Sequence, residues 1–293
     1  MLNDYEIEII VGDHVYLESM TQSWKSYDLI FTCEYDHLEQ IIFSAYSPHI
    51  EKLKTKKDLN RRLVSLNILV NGALFVSSAK TIPRISFNNY HVENRSLDIE
   101  TNGMSLWSDV IDEYPFEHSE EHYKQSPNIK LPADLDSVLF SIAKLDFIIR
   151  TLLFQAGVIF NNSVTDKILT WNTLYKMVDT IRHGCKEIDK NIEDLIESKD
   201  LERFTSACNN PTVLGVYARH GGSAKEPKRI QPITNLDEAI ELILCLANRF
   251  AKIYIMAKGY VSIAQMDISK CKHKVYEDPW QSVEYDLAGL KDI

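Results

Sequence analysis

The sequence has little that would place it in a familiar enzyme class. Its five cysteines, Cys33, Cys185, Cys208, Cys245 and Cys271, are odd in number and scattered, with no C-x-x-C. That favours a reducing compartment with free, mostly buried thiols. There is no G-x-S-x-G and no dinucleotide fingerprint, and Gly221-Gly222-Ser223-Ala224-Lys225 lacks the spacing of a phosphate-binding P-loop. No apolar run is long enough to span a bilayer, since the most apolar stretch, 147–160, is broken by Arg150 and Gln155. The opening MLNDYEIEII is acidic and lacks the basic n-region of a secretory signal. Internal repeats and low-complexity segments are missing as well. Positive charge is scarce: the net charge is −10, which argues against a global footprint for duplex DNA. These absences together predict a cytoplasmic protein with no membrane association.

What is present is ordinary for a globular chain, with 45% hydrophobic and 25% charged residues over 293 positions, enough for two domains or one large one. Residues 4–17 alternate loosely around a Gly12-Asp13 turn signal and predict a β-hairpin, and 27–33 a further strand. Leu38, Ile41, Ile42 and Ala45 fall at helical spacing and predict a helix over 36–47, ended by Pro48. Leu59, Leu63, Leu66 and Val70 predict another. Asn71-Gly72 is an awkward continuation of it, because glycine costs about 1 kcal/mol inside a helix. Residues 82–100 read as two strands with a turn near Glu93-Asn94. The span 1–107 is therefore expected to be a mixed α+β domain.

Residues 108–132 are acidic and punctuated by Pro115, Pro127 and Pro132, and read as a linker. From Ala133 an apolar stripe running from Leu135 to Ala156 predicts one helix of about six turns. A second helix is predicted from Asp166 and a charged third over 187–197. A fourth starts near Asn235, where Thr234-x-x-Asp237 and Asn235-x-x-Glu238 look like capping boxes. The expected fold class is α+β: an N-terminal mixed α/β unit, then a C-terminal α-helical bundle over 133–260 and a tail over 261–293.

Chemistry-bearing residues gather in one place. Residues 204–229, FTSACNNPTVLGVYARHGGSAKEPKR, lie between strong helices without reading as helix. They hold Asn209-Asn210-Pro211, Gly215 and Arg219-His220-Gly221-Gly222. In 219–229, Arg219, Lys225, Lys228 and Arg229 against Glu226 leave a surplus of three positive charges. A guanidinium beside an imidazole suits phosphodiester chemistry. Arginine pairs with phosphate oxygens in a bidentate way, and histidine near its ordinary pKa moves a proton. In such a site Arg219 stabilises the charge developing at phosphorus. His220 transfers the proton for attack by a ribose 2′-hydroxyl. Asn209, Asn210, Lys225, Lys228 and Arg229 hold the RNA, and no metal or cofactor takes part. The structural alternative is that Asn-Asn-Pro ends a helical turn, Arg219 caps carbonyls or pairs with an acid of the bundle, and His220 packs.

The stretch from Trp171 to Phe250 contains WNTLYKMVDTIRHG, RFTSACNNPTVLGVYARHGG, a proline and ITNLDEAIELILCLANRF. It resembles a helical domain found in many uncharacterised bacterial proteins. The matching residues are Trp171, Leu174, Tyr175, Lys176, Phe204, Thr205, Asn210, Pro211, Gly215, Ala218, Arg219, His220, Gly221, Pro227, Glu238 and Ala239. The layout is also similar to HEPN domains, helical bundles with an Arg/His loop before the last helix. That resemblance implies an RNA-binding or metal-independent RNA-cleaving protein, a site formed across a homodimer, and a role in phage defence. The chain departs from the HEPN signature in one respect. There several residues separate arginine from histidine on a helix, whereas Arg219 and His220 are adjacent and on a helix would point about 100° apart.

Four other groupings are weaker. His118-Ser119-Glu120-Glu121-His122 matches an inverted zinc-protease motif, but its Pro115 and Pro127 flanks and lack of an apolar stripe read as a solvated linker. Arg182-His183-Gly184 reads as the basic, glycine-ended C-terminus of a helix. Cys271 and His273 lack a second pair of ligands at suitable spacing. Arg84 and His91 fall in a predicted strand-turn-strand. The competing function is a non-catalytic interaction protein whose bundle assembles an oligomer or complex, favoured by an acidic chain that repels RNA.

Overall fold

The computed structural model describes residues 5–11, 14–24, 26, 28–35, 41–92, 95–98, 115–116, 134–159, 164–219 and 230–260. The protein is mixed α/β. Strands β1 (Tyr5–Val11), β2 (Ile30–Tyr35), β3 (Ile41–Tyr46), β4 (Ile85–Val92) and β5 (Arg95–Asp98) form one antiparallel sheet in the order β2-β3-β1-β4-β5. Ile7, Ile9, Phe31, Phe43, Ala45, Ile85 and Phe87 alternate onto its inner face and are buried.

Two elements of the N-terminal half differ from expectation. Residues 14–23 are a helix, α1 (His14–Ser23), rather than the second arm of a hairpin. Leu17, Met20 and the following Trp24 recur every three or four residues and are all buried, a one-sided helical face. Residues 41–46, expected as helix, are β3. Four apolar residues fit either period. Ile41-Ile42-Phe43 suits a pleated surface, and β3 is hydrogen-bonded on both sides, by β1 and β2.

Helix α2 (Lys56–Ser78) is the element on which sheet and bundle meet. Thr55 caps it, accepting from the Asp58 amide at 3.1 Å. It runs straight through Asn71-Gly72. A Cβ at Gly72 would lie 1.8 Å from the carbonyl oxygen of Leu153, and one at Gly157 would lie 2.0 Å from that of Ile68. The glycines are thus the condition for α2 to cross α4 (Phe147–Gly157) backbone against backbone. Asn71, fully buried, donates to the Ile85 carbonyl at 2.9 Å and accepts from its amide at 3.0 Å, tying the helix to the start of β4.

The expected six-turn helix is two, α3 (Leu135–Ala143) and α4. The break has two causes. Lys144 turns inward, its ammonium 2.8 Å from the Asp28 carboxylate. Asp146 caps α4, accepting from the Ile149 amide at 2.9 Å. Next come α5 (Val164–Glu187), α6 (Ser198–Asn209), the single turn α7 (Pro211–Leu214) and α8 (Leu236–Ala257). Residues 188–197, expected as helix, contain only a 3-10 turn at Ile192–Asp194. Asn235 caps α8 by accepting from the Asp237 amide at 2.9 Å, while Glu238 pairs with Arg203 at 2.8 Å instead of closing a capping box. Gly184 does not end α5. It lies against α8, where a Cβ would meet the Phe250 ring at 2.3 Å.

One apolar core runs through sheet and helices. At its centre Asp28 accepts from His49 Nε2 at 2.9 Å and from Lys144. Arg62 donates to the His49 carbonyl at 2.8 Å, and the Phe116 ring stands edge-on to the imidazole at 5.3 Å. Burial works against charge on Asp28, but the bonds from His49 and Lys144 outweigh it and hold its carboxyl below the usual range. No helix among the described residues is long and apolar enough to cross a membrane. The proposed linker, apart from Pro115 and Phe116, and the tail from 261 lie outside the described residues.

Candidate functional site

The described residues of the sequence pattern lie on α5, α6, the turn after it and the start of α8. Trp171 of α5 stacks on Phe204 of α6, ring centroids 6.1 Å apart and planes 17° apart, and both are buried. Residues 204–209, expected outside any helix, are the last turns of α6. Thr205 donates to the Leu201 carbonyl at 2.9 Å. Asn210 leaves the helix in extended conformation and caps α7, accepting from the amide and the hydroxyl of Thr212 at 2.9 and 2.8 Å. Pro211, with no N–H to lose, takes the first helical position.

Gly215 then reverses the chain at φ 57°, ψ −134°, a conformation L side chains rarely hold. Val216 and Tyr217 follow it outward, 86% and 55% exposed. The chain returns at once to the body. Ala218 is buried, and the Arg219 amide donates to the Cys208 carbonyl at 3.0 Å. The Arg219 side chain points to solvent, its guanidinium 4.3 Å from the centroid of the Tyr175 ring and donating to the Tyr175 hydroxyl. Tyr175 sits one helical turn beyond Trp171 and packs, half-buried, against the core.

The structure therefore brings Arg219, Asn209 and Asn210 to one corner, with different commitments. Asn210 is occupied as a cap. The side-chain oxygen of Asn209 is shielded from solvent and has no hydrogen-bond partner, and being an acceptor it cannot meet a phosphate oxygen; only its amide nitrogen suits that role. Arg219 stands on a turn, not on a helix. His220, Lys225, Lys228 and Arg229 lie outside the described residues, as do His118, His122, Cys271 and His273. Cys208 beneath the turn is buried. Burial pushes its thiol up to about 12, against the opposing pull of the Arg219 charge.

Two basic groupings are structural. Arg84 donates to the carbonyls of Gly157 and Ile159 at 2.8 and 2.6 Å, closing the end of α4, and lies over the Phe75 ring at 5.2 Å. Burial lowers its pKa to about 10. Arg182 pairs with Asp179 at 3.3 Å, and His183 lies 3.6 Å from Glu187, within the same helix. Sequence reasoning missed Tyr175 as the seat of Arg219. The available signal was its place in Trp-x-x-Leu-Tyr-Lys, one turn from a buried tryptophan. Compared with known proteins, the chain matches no family model, no curated protein and no solved structure, so the chemistry of this corner has to be read from its own residues.

Proposed function

We propose that the turn after α6 is a phosphate-binding surface for RNA and that, with His220, it cleaves RNA without a metal. One observation carries the reading: Arg219 is held facing solvent on Tyr175 and has no carboxylate partner among the described residues. The structural alternative needs Arg219 to cap carbonyls or to neutralise an acid of the bundle. Its described partner is instead a neutral phenol, which occupies one of its five N–H donors and brings no opposite charge. A guanidinium steadied by an aromatic ring is pre-organised to take phosphate oxygens. Arg219 then stabilises the charge developing at phosphorus, and His220 takes the 2′-hydroxyl proton. An effector role in phage defence is the biological setting that the HEPN-like layout suggests.

The test is RNA cleavage in EDTA by the parent and by the Arg219→Ala and His220→Ala variants. Loss of cleavage in both variants supports the site. Cleavage that survives both substitutions places the activity elsewhere. A second reading, a non-catalytic module that assembles an oligomer or complex, draws support from the exposed Val216 and Tyr217 beside Arg219.

A further inference from the structure

We infer that the site takes single-stranded rather than duplex RNA, with an unpaired base stacked on Tyr217. This rests on the phosphate-binding reading of Arg219 and adds the substrate class and a specificity residue. The first ground is the way the turn is built. Gly215 adopts a left-handed φ with open space around its Cα, and the chain uses that freedom to send a valine and a tyrosine into solvent. A frayed loop would account for one such side chain. Here the frame is fastened on both sides: Val213 and Leu214 pack on the core before it, and Ala218 is buried after it. The Ala218 amide also returns to the Gly215 carbonyl at 3.2 Å. The exposed apolar tip is thus presented by a fixed scaffold.

The second ground is chemical order. Tyr217 lies two residues before Arg219, whose guanidinium is fixed on a different aromatic ring. A phosphate donor and an exposed aromatic side chain two residues apart on one turn match a nucleotide, which offers a charged phosphate and a planar base within one residue. Every base has a π-face, so such a platform binds without sequence readout. In a duplex the faces are stacked inside the helix and the deep groove of A-form RNA is closed to side chains, so Tyr217 has nothing to stack on. Val216 beside it adds apolar contact to the sugar or base. The acidic balance of the chain points the same way. A protein of net charge −10 gains little from long-range attraction to a duplex and needs contacts beyond phosphate.

The experiment measures affinity by fluorescence anisotropy for an unstructured oligoadenylate and for a blunt RNA duplex of the same length, both 2′-O-methylated so that neither is cleaved. It uses the full chain and its Tyr217→Ala, Tyr217→Phe and Arg219→Ala variants, with sedimentation run in parallel. The expectation is preference for the single strand, roughly ten-fold weaker single-strand binding for Tyr217→Ala, and binding within about two-fold of the parent for Tyr217→Phe, which keeps the ring. Arg219→Ala should weaken binding to both RNAs and lower the salt slope by about one. If Arg219→Ala weakens binding but Tyr217→Ala does not, or if duplex binds as well as single strand, the stacking inference is wrong and the phosphate reading stands. If the parent binds neither RNA, both fail. If Tyr217→Ala changes the sedimenting mass and leaves RNA affinity untouched, the tip is a protein contact and the inference is overturned.

Discussion

Asp28 and Arg219 show two ways of using a charged side chain. Asp28 lies in the core, held by His49 and Lys144, with Arg62 and Phe116 bracing the histidine. Arg219 stands at the surface on Tyr175, beside an unpaired buried oxygen of Asn209 and an exposed Val216-Tyr217 tip. Around Asp28 the charges hold sheet and helices together. Around Arg219 the scaffold is complete without the guanidinium: the Trp171–Phe204 stack, the Asn210 cap and the Arg219 backbone amide all do their work below it. Among the described residues no carboxylate meets the Arg219 charge. The contrast can be broken by mutation.

The largest effect is expected where backbones touch. Gly72→Ala would force a methyl to within 1.8 Å of the Leu153 carbonyl, between two helices with no flexible side chain to give way. The expected loss is on the order of 4 kcal/mol or failure to fold, read by urea denaturation. Next is Lys144→Met. It leaves Asp28 charged and buried with His49 alone, at about 3 kcal/mol. The Asp28→Leu/Lys144→Met double variant removes the stranded carboxylate and should recover part of that loss.

Asp136 gives a smaller, pH-dependent effect. Burial raises its carboxyl to about 6, against the hydrogen bonds from Ser137. A pKa raised in the folded state stabilises the protein at low pH, and that stabilisation is lost as pH rises through about 6. Asp136→Asn should therefore flatten the pH profile of the melting temperature between about 4 and about 7 and be the more stable protein above it.

Much of the architecture is legible in the sequence: the β4–β5 hairpin, α2, α5 and α8 follow their apolar spacing and turn residues. Where the reading fails, a tertiary partner overrides a local signal. Asn71-Gly72 looks like a stop because glycine in a helix is costly, yet that pair is where α2 meets Leu153 and Ile85. Residues 41–46 look helical until two neighbouring strands claim them. The break at 144–146 answers to Asp28, more than a hundred residues away in sequence. At the corner, Arg219 and the cap residue Asn210 stand out by composition. Tyr175 and the outward turn of Tyr217 do not, because burial and exposure are set by what packs around them.

The measurement that tests the contrast most directly pairs two readings on Arg219→Ala: melting temperature and affinity for the oligoadenylate. Since the guanidinium is itself exposed, melting should move by no more than about 2 °C, while affinity falls several-fold. A melting temperature lowered as far as that of Lys144→Met, with RNA affinity unchanged, would make Arg219 a structural residue and contradict the account.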